Sequence, residues 1–293
     1  FDLLTDLDGK FFTLEEYRTL TESEQTDKDG QLVWLYTNDK EGQYSAIERA
    51  KEKGYSVLVL DGPLDVHAIS QLEQKLEKTH FVRVDSDSIA KLIVKDEAKE
   101  SHLSAEEQKT LSEIFKARLP KDEKRNYSVV FEALGAEADA VLITQGEFMR
   151  RMQEMARLQP DMNFYGDLPE GYNVVLNTDH ALLSRLLSSE KSEIEPKLQS
   201  LRTELAEQTN LVEDARSAQS AKKPEEVTAT EREELSALAA KQAEIEGKIN
   251  AELRAFGDRE PLVGQLVDLA LLGSGLLTGE ALAAFIRRSQ QLL

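Results

Sequence analysis

Apolar positions along this chain change their period several times, and each change predicts a different kind of element. From Gln31 to Val84, short apolar runs alternate with amphipathic stretches. Leu32–Tyr36, Val57–Leu60 and Phe81–Val84 read as strands. Helices are expected between them, over Ser45–Lys53, stopped by Gly54, and from Asp65 to Leu76. Alternation of this length predicts a small parallel sheet with crossover helices. Ahead of it, Thr13 with Glu16 makes a capping-box pattern that opens a helix. Asp8-Gly9 is read as a turn. A calcium loop in that stretch would need Leu4 as its first ligand, and leucine cannot coordinate.

Further on, Ser104 starts a helix that ends before Pro120, and the charged run Lys121–Arg125 reads as an exposed boundary. Strand-like Tyr127–Phe131 and Ala140–Thr144 follow, then a helix over Gly146–Leu158 and a strand over Asn173–Asn177. Asn177-Thr178-Asp179-His180 reads as a helix cap. From 190 to 257 the period becomes heptad-like. One seam runs through Ile194, Leu198, Leu201, Leu205, Gln208, Val212 and Ala215. After a polar break over Ser217–Ala229, a second seam holds Leu235, Leu238, Gln242, Ile245, Ile249 and Phe256. Thr230 with Glu233 offers this second helix a capping box. The pair predicts an antiparallel coiled-coil hairpin with a glutamine in each seam.

At the end of the chain Leu262, Leu266, Leu269 and Leu272 repeat at helical spacing. Gly273-Ser274-Gly275 breaks that helix, and Thr278 caps another that carries Leu282, Phe285 and Ile286. Two helices this apolar cannot hide all their surface on each other. Either they dock on their own domain or they meet a second copy in a four-helix bundle. The helix after Gly146 poses a similar choice. Phe148, Met152 and Met155 share one face with Met149 beside them, and all four methionines fall between Met149 and Met162. Such a flexible, polarizable face suits a binding surface, and it also suits an ordinary core.

Charge and composition narrow the partners. The 293 residues carry a formal charge of -19, which repels nucleic acid and anionic membrane. No apolar run reaches the roughly 18 residues of a membrane-spanning helix. The absence of cysteine fits a reducing compartment. The four histidines, His67, His80, His102 and His180, have no ligand spacing and read as structural. No pair of carboxylates can be defended as acid and base, so no catalytic or metal-binding residue is expected. The chain starts at Phe1 rather than Met, in sequence that looks folded, and is expected to be a fragment.

Several stretches in order carry a family resemblance: GKFFTLEEY, TDKDGQLVWLYTND, GYSVLVLDGPLDVHAISQL, YNVVLNTDHALLSRL and LVGQLVDLALLGSGLLTGEALAAFIRR. Together they resemble the C-terminal half of the heat-shock protein 90 chaperone family. The resemblance implies a multidomain α+β and α/β fold. Residues 1–120 would form the end of a middle domain, a small three-layer αβα unit with a parallel sheet and a linker helix. Residues 121–293 would form a C-terminal dimerisation domain, which the coiled-coil hairpin read from the heptads at about 190–257 would interrupt. It implies a cytoplasmic homodimer that binds unfolded or partly folded client proteins. Phe148, Met149, Met152 and Met155 become the client-binding candidates. Leu262, Leu266, Leu269, Leu272, Leu282, Phe285 and Ile286 become the dimer interface. ATP and magnesium are implied for the full-length protein, whose nucleotide pocket and catalytic arginine have no counterpart here, so this stretch is expected to be neither an enzyme nor a cofactor binder. Thr178 departs from the proline usual in the family, and the Gly135–Asp139 loop lacks the family's arginine-leucine pattern. The insertion is longer than the usual connection. An alternative reading is a structural adaptor that docks a specific partner through that hairpin.

Overall fold

The computed structural model of the chain describes residues 3–62, 64–95, 101–158, 169–223 and 226–291. Its first part carries β1 (Leu4–Thr5), β2 (Phe11–Phe12), α1 (Leu14–Gln25), β3 (Leu32–Thr37), α2 (Tyr44–Glu52) and β4 (Val57–Val59). Next come α3 (Asp65–Lys75), β5 (Thr79–Arg83), α4 (Ile89–Leu92) and α5 (Ala105–Lys116). Then follow β6 (Arg125–Glu132), β7 (Val141–Thr144), α6 (Glu147–Leu158) and β8 (Glu170–Asn177). The rest is helical: α7 (Ala181–Glu193), α8 (Glu195–Ser220), α9 (Ala229–Arg259), α10 (Pro261–Gly273) and α11 (Gly279–Gln291). The class is mixed α and β, and the contacts divide into two compact units. One comprises Phe1–His102, Leu119–Ala181 and Gln265–Leu293, the other Leu103–Arg118 and Leu182–Gly264.

In the first unit the expected parallel sheet forms, in the order β4-β3-β5. All of Leu32–Thr37 is buried, because helices cover both faces of β3. Leu32, Trp34 and Tyr36 pack with Tyr17 of α1 and with Ile69 and Leu72 of α3. Val33 and Leu35, one step out of phase, pack with Ala46, Ile47 and Ala50 of α2. Strand alternation thus sorts one run into two cores. Trp34 is fully buried, meets Tyr17 and Phe81 edge-on at 5.1 and 5.3 Å, and donates its indole N–H to Thr21 at 3.0 Å. The capping box forms at Thr13 and Glu16, and β1 and β2 close around Asp6, whose carboxylate accepts from the Asp8 and Lys10 amides.

A second sheet in this unit has the order β6-β8-β7. β8 lies between the other two, parallel to β6 and antiparallel to β7. Asn177 at its end is fully buried and does more than open a helix. Its amide nitrogen donates to the Gly135 and Ala138 carbonyls, and its oxygen accepts from the Leu134 and Asp179 amides. One side chain therefore staples the β6–β7 connection.

The second unit contains the coiled-coil hairpin of α8 and α9. α9 starts earlier than the sequence suggested: Thr228 and Glu231 form the capping box that was expected at Thr230 and Glu233. Both pairs satisfy the pattern, and the helix takes the earlier one. Leu198, Val212, Ile245, Ile249 and Phe256 are buried. The two seam glutamines are satisfied across the hairpin, Gln208 donating to the Leu238 carbonyl at 2.9 Å and Gln242 to the Thr209 hydroxyl at 3.1 Å. Such bonds let polar groups sit in the seam without the cost of an unpaired donor. Gly257 is required where α9 crosses α5, since a Cβ there would lie 2.2 Å from the Ile114 carbonyl oxygen.

Candidate functional site

The helix α6 is held by its charged residues. Glu147, Arg150, Arg151 and Glu154 recur at spacings of three and four, so they share one face. Arg150 is 3% exposed. It donates to Glu147 Oε1 and Glu154 Oε1, both at 2.6 Å, and to the Tyr36 hydroxyl at 2.8 Å. Arg151 donates to Glu73 Oε2 at 2.8 Å, to Glu147 Oε1 at 2.5 Å and to the Phe81 carbonyl. Arg83 reaches Glu154 at 3.4 Å while Asp85 holds it at 2.5 Å. Tyr36, Phe81 and Arg83 come from the parallel sheet and Glu73 from α3, so the helix is pinned to that sheet through its ions.

Burial opposes the charge on Glu147, but Arg150 and Arg151 overcome it and hold the carboxyl below its ordinary value. Burial also works against both guanidinium groups. Glu147, Tyr36 and Glu154 outweigh it at Arg150, and Glu73 and Glu147 outweigh it at Arg151, so both are held more firmly protonated. Burial and then Glu147 push the Tyr36 hydroxyl up to about 12, which keeps it a donor at neutral pH. The charged residues are turned to the sheet, and Phe148 beside them is turned to solvent. Phe148 is 73% exposed and Met152 is half-buried. The side chains of Met149 and Met155 lie outside the described residues.

The terminal hairpin is the second surface. α10 ends in a turn in which the Gly275 amide donates to the Leu272 carbonyl and the Leu276 amide to the Leu271 carbonyl. Gly275 has φ 70°, the left-handed conformation this Schellman-type ending demands. Arg288 of α11 pairs with Asp268 of α10 and ties the two helices. Leu266 and Phe285 are buried within the chain, and Leu262 and Leu282 are half-buried. Leu269, Leu272 and Ile286 remain 48%, 42% and 47% exposed. Sequence reasoning found both apolar faces but missed the ion network. Its signal was the set of charges at spacings of three and four opposite the methionines. The partners Tyr36, Glu73 and Arg83 are distant in sequence and carry no local sign. Among the described residues no helix is long and apolar enough to cross a membrane, and no group of acidic, histidine or cysteine side chains could hold a metal ion.

Comparison with known proteins gives no matching family model. Over all 293 residues the chain is 58% identical to the chaperone protein HtpG of Porphyromonas gingivalis. It is 45% identical to that of Bacteroides fragilis and 43% identical to that of Bacteroides thetaiotaomicron, again over the whole chain. It spans 43% of the length of each of these relatives. The matched region runs through the coiled-coil hairpin, so that segment is shared with them.

Proposed function

The chain belongs, over its whole length, to the HtpG family of heat-shock protein 90 chaperones, and from that premise we propose that it holds unfolded or partly folded proteins on the outward face of α6. The observation that carries this reading is Phe148, 73% exposed on a helix held to the sheet by its charged residues. An exposed aromatic that costs its own fold nothing to cover is available to another chain. Burying such a side chain contributes roughly 2 kcal/mol. Met152 beside it can reshape around varied partners, which suits a surface meeting many sequences.

Self-association through α10 and α11 belongs to the same reading. Leu269, Leu272 and Ile286 are apolar side chains left in water by the single chain, and a twofold partner would cover them. Two copies would then present two α6 helices to one client, and weak contacts would add through avidity. ATP, with magnesium, drives the cycle in this reading through parts of the family's length that these 293 residues do not span. The setting is the cytoplasm.

Replacing Phe148 and Met152 together by serine tests the client surface. The expected result is loss of most suppression of aggregation of a denatured test protein, with unchanged circular dichroism. Full suppression by a folded variant would overturn the assignment.

A further inference from the structure

A cleft of about 890 Å³ opens within the first unit, lined by residues that follow β3 and β5, by α2, by the β6–β7 loop and by the C-terminal end of α10. Crevices beyond the carboxyl ends of parallel strands are where open α/β sheets take their ligands. This one has an apolar floor that includes Leu134, Val141 and Ile143, none of them in the terminal hairpin. Its charged lining is one-sided, with Glu48, Glu52, Asp85, Glu137 and Asp139 against Arg49 and Lys53. Arg49 is already spent on Asp139 at 3.0 Å. Glu48 takes Lys51 at 3.3 Å, and Asp85 takes Arg83 at 2.5 Å. Glu52 and Glu137 are both exposed on the rim, one on α2 and the other on the loop.

We propose that this cleft docks a peptide segment in which apolar side chains are flanked by lysine or arginine. The apolar side chains cover the floor, and the flanking cations meet Glu52 and Glu137. Lys53 is exposed on the same rim, so Glu52 and Glu137 leave the unpaired lining weakly acidic, which favours a basic peptide over an acidic one. A volume of this size lies within the range of sites that enclose small ligands, which is enough for the few side chains of one short segment. The proposal is independent of α6, whose outward face is not part of the lining.

Fluorescence anisotropy of a labelled leucine–lysine peptide against the 293-residue chain tests it, with a leucine–glutamate peptide as counter-probe. The leucine–lysine peptide is expected to bind, and rising salt to weaken it. Glu52→Lys with Glu137→Lys is expected to weaken binding about tenfold. Phe148→Ser is expected to leave it unchanged. Equal binding of the two peptides, or full affinity in the folded double variant, would overturn the proposal. Should the double variant misfold, binding by the unaltered chain that ignores ionic strength overturns it equally. Loss on Phe148→Ser alone would put the peptide on α6, which contradicts this proposal and leaves the α6 reading standing. A fall in anisotropy as the chain concentration rises into the range where sedimentation shows self-association would make a second copy the occupant, against the proposal.

Discussion

Arg150 and Glu190 are both almost completely buried, and their surroundings treat their charges in opposite ways. Arg150 meets two carboxylates and a hydroxyl at hydrogen-bond distance. Glu190, 1% exposed on α7, meets Arg202 only at 3.5 Å, and Arg202 is shared with Glu106 at 2.7 Å and Glu195 at 3.2 Å. Burial pushes the Glu190 carboxyl above its ordinary value, and Glu195 and Glu106 add to the push against Arg202 and Lys191. A raised carboxyl stabilises the fold fully below its unfolded value and gives that contribution up as pH climbs through the folded one. Glu190→Gln removes that loss, while Arg202 keeps two partners. The variant is therefore expected to melt a few degrees higher at neutral pH, with a flatter rise on acidification. A lower melting point by calorimetry would show that the ion pair outweighs the burial. Nothing local marks this position, since Ser-Ser-Glu-Lys-Ser reads as a solvated helix face.

Among the elements, α6 depends most visibly on charge. Glu147 is held below its ordinary value of 4.5, so its contribution is present above that pH and is lost as the pH falls through the lower, folded value. Arg150→Met leaves Glu147 to Arg151 and Glu154 to the longer contact with Arg83, and is expected to cost about 3 kcal/mol of docking. Hydrogen exchange reads this directly: α6 amides should speed up while those of β3 and β5 hold, and equal protection throughout would deny the network its anchoring role. Elements with local signals were legible. The apolar runs of β3, β4 and β5, the capping box at Thr13 and the helix start at Ser104 stand where their residues suggest. Choices decided at a distance were not legible. The two candidate boxes before α9 obey one pattern, and only the start of the helix separates them. That β8 inserts between β6 and β7 follows from pairing, which alternation alone does not encode. For α6 the sequence displayed two faces but not which of them had partners.

For the whole molecule, the central question is what the exposed apolar side chains meet. Leu269→Glu with Leu272→Glu places charge where a partner hairpin would have to close, and sedimentation at micromolar concentration should shift from dimer to monomer. A dimer that survives both changes would move the interface elsewhere on the chain. In the proposed reading the hairpin sets how many copies of α6 stand together, and α6 itself touches clients. The most direct measurement of that contact places a photoreactive phenylalanine at Phe148 and, in a separate chain, at Lys241 on the coiled-coil hairpin. With an unfolded test protein, crosslinks are expected from the first position and not the second. Crosslinking in equal yield from both, or from Lys241 alone, would contradict the assignment of the client surface to α6.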